Sequence, residues 1–147
     1  MVDTFIALSG FVRCLRQNVT DPEVSSRASG SYWIDKSWID ERYRLYGWPQ
    51  ISVFQVGSSA YNSKSGTMVY FPRIQVDIFA SGETQKNSLS DTVKRVVLRT
   101  RRESLSRSGI GMDGLDGETD SIEDERVPLK AYRKSLLFTS LIYSTGV

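Results

Sequence analysis

The chain has 147 residues, 19 Lys and Arg against 17 Asp and Glu, and no histidine. That length fits a single domain, residues 1–147, with a sizeable buried core, and a net charge of +2 is too small to imply a polyanionic partner by itself. Without histidine there is no Ser-His-Asp or Cys-His triad and no histidine zinc site, so the reading is of a non-enzyme with no catalytic residue, no cofactor and no metal.

Residues 3–18 read as a first helix, because Phe5, Leu8, Val12 and Leu15 recur at helical spacing behind Asp3 as N-cap. Gly10 weakens it by about 1 kcal/mol relative to alanine. Asp21 before Pro22 is pushed from helical angles and ends it. Phe5-Ile6-Ala7-Leu8 is interrupted by Ser9-Gly10 and lacks the basic start of a secretory signal. No apolar run reaches the length of a membrane-crossing helix. The single Cys14 forms no internal disulfide, suits a reducing compartment and, with no histidine to activate it, reads as a buried structural cysteine. The expected place of assembly is the cytoplasm.

Residues 20–48 read as an irregular segment. Ser25 to Ser31 is linker-like, and Tyr32, Trp33, Trp38, Tyr43, Tyr46 and Trp48 then gather the three tryptophans. An aromatic surface for stacking bases or sugars is one reading. Burial is the better one, because Asp35, Asp40 and Glu41 balance Lys36, Arg42 and Arg44.

From Pro49 the pattern alternates as strands do: Ile51, Val53 and Gln55 against Ser52, Phe54 and Val56. A polar, glycine-flanked stretch at 57–66 predicts a long hairpin loop, after which Thr67 to Phe71 resumes the strand. Pro72 belongs at a sheet edge or bulge. Beyond it Ile74, Val76 and Ile78 share one face and Arg73, Gln75, Asp77 and Phe79 the other, which predicts one covered face and one partly solvated or subunit-facing.

Ser88 is the expected N-cap of a helix over 88–106, with Leu89, Val93, Val96, Val97 and Thr100 on its apolar side and Lys94, Arg95, Arg99, Arg101 and Arg102 around the rest. Residues 108–126 read as a long acidic loop without core residues. Asp116 to Asp120 imitates a calcium loop, but Ser121 and Val127 stand where that loop needs Gly and Glu. The glycines of 109–117 lack the Lys-Ser/Thr of a phosphate loop. The chain closes on an interior strand, Lys134 to Tyr143, apolar on both faces. The fold class is therefore α+β: a small, mostly antiparallel sheet covered by a long amphipathic helix, with an additional N-terminal helix.

Five segments carry a resemblance to a known family. They are the N-terminal helix, Pro49-Gln-Ile-Ser-Val-Phe54, Pro72-Arg-Ile-Gln-Val-Asp-Ile-Phe-Ala80, Leu89-Ser-Asp-Thr-Val-Lys-Arg-Val-Val97 and Arg133-Lys-Ser-Leu-Leu-Phe-Thr-Ser-Leu-Ile-Tyr143. In kind and order these resemble the tail-terminator, or tail-completion, proteins of long-tailed phages and related viruses, over about two-thirds of the chain. The resemblance implies a structural virion protein that caps the tail tube as a ring, a homo-oligomer of six subunits. Such a ring ends tube polymerisation and forms the surface that joins tail to head. The implied partners are other copies of the chain, the tail-tube protein and the head-completion proteins of the neck, with no membrane, and with DNA only passing through the lumen.

A ring needs two different faces per subunit. The two loops and the basic helix are the expected contact elements, with Tyr61, Lys64, Arg99, Arg102, Asp113 and Asp116 as interface residues and basic helix pairing with acidic loop across subunits. Two alternatives stand beside this: a head-closure or adaptor protein of the neck, and a small nucleic-acid-binding domain using the basic helix 88–106.

Overall fold

The computed structural model describes residues 4–23, 33–36, 47–62, 67–100, 111–121 and 132–145. They form an α+β fold of two helices and one mixed five-stranded sheet. The helices are α1 (Thr4–Asn18) and α2 (Glu83–Thr100), and the strands are β1 (Ile34–Asp35), β2 (Gln50–Asn62), β3 (Thr67–Ala80), β4 (Gly111–Ser121) and β5 (Tyr132–Thr145). Strand order is β1-β2-β3-β5-β4, with β1 parallel to β2 and the other three pairings antiparallel.

α1 stops three residues before the Asp21-Pro22 pair, and its last turn is closed by Val19 N donating to Leu15 O at 2.8 Å. Its buried side comprises Phe11, Val12, Cys14 and Leu15, with Leu8 partly buried, a stripe wider than the expected one. The described residues of the aromatic segment support burial. Trp33 and Ile34 belong to the core, and Arg16 Nε ties β1 to α1 by donating to Ile34 O at 2.7 Å. Asp3, the linker 25–31 and the aromatics Tyr32, Trp38, Tyr43 and Tyr46 lie outside the described residues.

Three element boundaries need correction. The loop at 57–66 is largely strand: β2 runs on to Asn62 and pairs with β3 from Gly57↔Arg73 to Asn62↔Met68. The acidic loop at 108–126 contains a whole edge strand, β4, which is held in the sheet by β5. The second helix starts five residues before Ser88, at Glu83, with Lys86 N donating to Gly82 O at 3.1 Å. Ser88 lies inside that helix, where its carbonyl accepts from Thr92 Oγ1 at 2.9 Å. Residues 63–66, 101–110 and 122–131 lie outside the described residues.

The strands outrun the helices. Fourteen residues of β3 span roughly 46 Å at about 3.3 Å each, whereas eighteen residues of α2 span roughly 27 Å. The core joins Leu89, Val93, Val96 and Val97 of α2 to Ile51, Val53, Ile74, Val76, Ile78, Leu136 and Phe138 of the sheet. The Phe138 ring also meets Phe11 of α1, with centroids 6.2 Å apart.

Defects cross the sheet at one level. Val56 is a bulge on β2 between Gln55↔Ile74 and Gly57↔Arg73. Pro72 is interior, not at an edge; the β3–β5 ladder skips Phe71 and Pro72, as expected of a residue lacking N–H. Ser140 Oγ compensates by donating to Pro72 O at 2.7 Å. On β4 the register slips at Asp113 and again at Asp116, each the Asp of a hydrophobic-Asp-Gly triplet in Met112-Asp-Gly-Leu-Asp-Gly117.

Replacing Phe138 by alanine removes a fully buried ring at the α1–sheet contact. Urea denaturation should show a loss of about 3–5 kcal/mol. Val56→Thr, at a side chain 49% exposed, should stay within about 0.5 kcal/mol of the parent.

Candidate interaction surface

Of the six residues expected at an interface, Lys64 and Arg102 lie outside the described residues. Tyr61 sits near the end of the β2–β3 hairpin, paired with Val69. Arg99 is in the last turn of α2, exposed, and lines a surface groove of about 500 Å³ with Asn18, Thr92, Arg95, Val96 and Leu98. Asp113 and Asp116 are the two bulge residues of β4, and Asp116 is exposed. Tyr61 is thus far from Asp116: the β5 positions at their levels, Tyr143 and Phe138, are roughly 17 Å apart at about 3.3 Å per residue. Arg99 and Asp116 lie on neighbouring elements, α2 and β4.

The strongest electrostatic feature uses other residues. On the helix side of the sheet, Lys86 Nζ reaches Asp120 at 2.8 Å and Lys94 Nζ reaches Glu118 at 2.8 Å. Lys134 of β5, directly opposite Asp120 in the ladder, stands 3.8 Å from both acids. Asp91 at 3.3 Å from Lys94 and Glu83 at 4.0 Å from Lys86 complete the seam. Basic helix and acidic segment therefore do pair, through these residues, within one chain. The anchor is Lys86, whose side chain is only 4% exposed. Sequence reasoning starts the helix at Ser88, leaves Lys86 ahead of it and so misses it; the available signal was the i, i+3 and i+4 relation of Lys86 to Glu83, Leu89 and Ser90.

The opposite face of the sheet holds a second polar arrangement. Asp77 is fully buried. Arg133 Nη2 donates to its Oδ2 at 2.7 Å and Gln75 Nε2 to its Oδ1 at 2.8 Å. The Arg133 guanidinium also lies over the Phe79 ring, 5.4 Å from its centroid, and Trp48 stacks on the same ring at 6.2 Å. Ladder geometry explains this grouping: Arg133 is directly opposite Phe79 and diagonal to Asp77, while Gln75, Asp77 and Phe79 alternate onto one face. Gln50, opposite Phe79, donates to Gly47 O at 2.9 Å, and Gly47 has φ of 72°, a left-handed conformation suited to glycine. The face expected to be partly solvated is thus buried at its Gln50–Phe79 end and exposed at Arg73. Among the described residues no cluster of three or more His, Cys, Asp or Glu could hold a metal ion, and no helix is long and apolar enough to cross a membrane.

The Lys86 hydrogen bond is the main reason Asp120's carboxyl sits below its ordinary 3.8; partial burial opposes this, and attraction to Lys134, Lys86 and Lys94 adds to it. Lys94 is raised above 10.5, chiefly by its hydrogen bond to Glu118 and, after opposing desolvation, by Asp91. A depressed folded-state carboxyl gives stability that is present above its unfolded value and is lost as pH falls through the folded one. The raised ammonium gives stability that is lost as pH rises through its folded value, above 10.5. Asp120→Asn should therefore be less stable than the parent at neutral pH and converge on it below pH 3.8, as followed by urea midpoints across pH. Asp77→Ala, which strands Arg133 beside a buried cavity, should cost about 3–5 kcal/mol in the same assay.

No protein-family model matches the chain, and no curated protein is similar enough to count as a relative.

Proposed function

We propose that this chain is a structural virion protein of the tail-terminator kind, capping the tail tube as a hexameric ring and presenting the surface that joins tail to head. The reading rests on the resemblance in five segments, and one structural observation carries it furthest. The sheet's long strands β2, β3 and β5 continue well past the length of α2, giving each subunit a helix-packed body and a projecting sheet end. In this reading α2 is the cover of the sheet's inner part, and the hairpin end near Tyr61 is one contact face. Arg99 and Arg102 on one side, with Asp113 and Asp116 on the other, supply the second. The role needs no catalytic residue, cofactor or membrane. DNA is a passenger in the lumen, and assembly takes place in the host cytoplasm before the protein resides in the virion neck.

The nucleic-acid alternative is weakened by the charge seam. Lys94, a cation of the helix it would use, is already neutralised by Glu118, and Lys86 just before that stretch by Asp120. A head-closure or adaptor protein remains the nearest alternative, differing in neck position and not in chemistry.

The test is the solution mass of the protein with and without cognate tail tubes, followed by negative-stain imaging. Rings of about six subunits, or caps at one tube end, are expected. A monomer that ignores tubes yet binds DNA with steep salt dependence would overturn the reading. Reversing Arg99 and Arg102 to glutamate should abolish ring closure while leaving the monomer folded; intact rings would remove these arginines from the interface.

A further inference from the structure

We infer that β4 is charge-latched along Gly114 to Asp120: the ion pairs of Glu118 and Asp120, not apolar burial, hold this stretch in the fold, so that it leaves and rejoins the sheet while the core stays folded. This is independent of the ring reading.

Four observations converge on it. β4 is an edge strand, and among the described residues only β5 offers it a backbone ladder. That ladder slips twice, at Asp113 and Asp116, and each bulge leaves an unpaired residue. From Leu115 to Asp120 every residue is exposed, and Gly114 just before them is half-buried, so this stretch supplies nothing to the core. Among the described residues its polar contacts to α2 are the Lys86–Asp120 and Lys94–Glu118 pairs, with Lys134 reaching both acids from β5.

The anchor is built to let go. Lys86 is buried, which would make its release costly if the ammonium were left without a carboxylate. Glu83, one turn earlier and 70% exposed, already stands 4.0 Å from Nζ. A lysine stem can swing its charge toward that side and water while its methylenes stay packed. Lys94 likewise keeps Asp91 at 3.3 Å when Glu118 departs. Each α2 lysine thus has one partner on β4 and one on its own helix, and the charged groups facing Asp120 and Glu118 are Lys86, Lys94 and Lys134, with Glu83 and Asp91 behind them.

Backbone hydrogen exchange of the full chain, read by mass spectrometry at neutral pH between about 0.1 M and about 1 M NaCl, tests this. Over that range the screening length falls from about 10 Å to about 3 Å. Exchange across 114–120 should accelerate by about tenfold or more while β3 amides from Ile74 to Ile78 keep their protection. The paired change Glu118→Gln and Asp120→Asn should give fast exchange in β4 already at low salt and no further response to salt. Equal protection of β4 and β3 at every salt concentration, or loss of both together, overturns the latch, as does an undiminished salt response in the double variant. Should that variant fail to fold, the salt series on the parent protein decides alone.

Discussion

β3 must bury both of its faces between Ile74 and Phe79, and the rest of the molecule is arranged to let it. Ile74, Val76 and Ile78 point into the helix-packed core, while Asp77 and Phe79 are equally buried on the reverse side. An interior strand with neighbours on both edges supplies its own backbone hydrogen bonds, so the two faces set the problem. Apolar packing solves the first. The second contains a carboxylate, and a buried carboxylate is tolerated only when both oxygens find donors. Arg133 and Gln75 provide them, and the position of Arg133 fixes the register of β5 against β3. A one-residue slip of β5 would move Arg133 to the helix side and take its guanidinium from Asp77. The ion pair is thus a registration device more than a source of stability.

The two sides of the sheet use charge differently. On the reverse side one pair is largely buried, with Asp77 fully so, and its guanidinium lies over the Phe79 ring. On the helix side a chain of acids and bases runs along the solvent boundary, with Asp120 57% exposed. Screening by salt acts on the second and spares the first. The fold therefore has a permanent electrostatic joint at its centre and a conditional one at its margin, with β5 taking part in both through the consecutive residues Arg133 and Lys134.

Much of the inner architecture is legible in the sequence, because it follows from apolar periodicity. Val93, Val96 and Val97 announce a helix face, and Leu136 and Phe138 announce a strand that must be interior. The missed elements are those whose structure comes from a partner strand and not from their own residues. Gly57-Ser58-Ser59 and Gly114-Leu115-Asp116-Gly117 have poor strand composition, yet β3 and β5 template them through backbone hydrogen bonds that leave no periodic mark. The early start of α2 was hidden for a related reason. Polar Thr84, Gln85 and Lys86 look like a turn until Asp120, thirty-four positions later, turns Lys86 into a core-facing residue. Of the candidate contact residues, Arg99 and Asp116 were placed on the surface by composition alone, whereas Asp77 and Arg133 became recognisable as partners only once the β3–β5 register was known.

The irregularities at Val56, Pro72 and Asp113 stand almost abreast, on three strands at the level of Arg73 and Thr139. A pleated sheet is stiff along its strands because each rung braces the next; a line of interrupted rungs behaves as a crease. Bulges raise the local twist, so the sheet changes its twist across this line, with the Ser140 hydroxyl on Pro72 O as a pin over it.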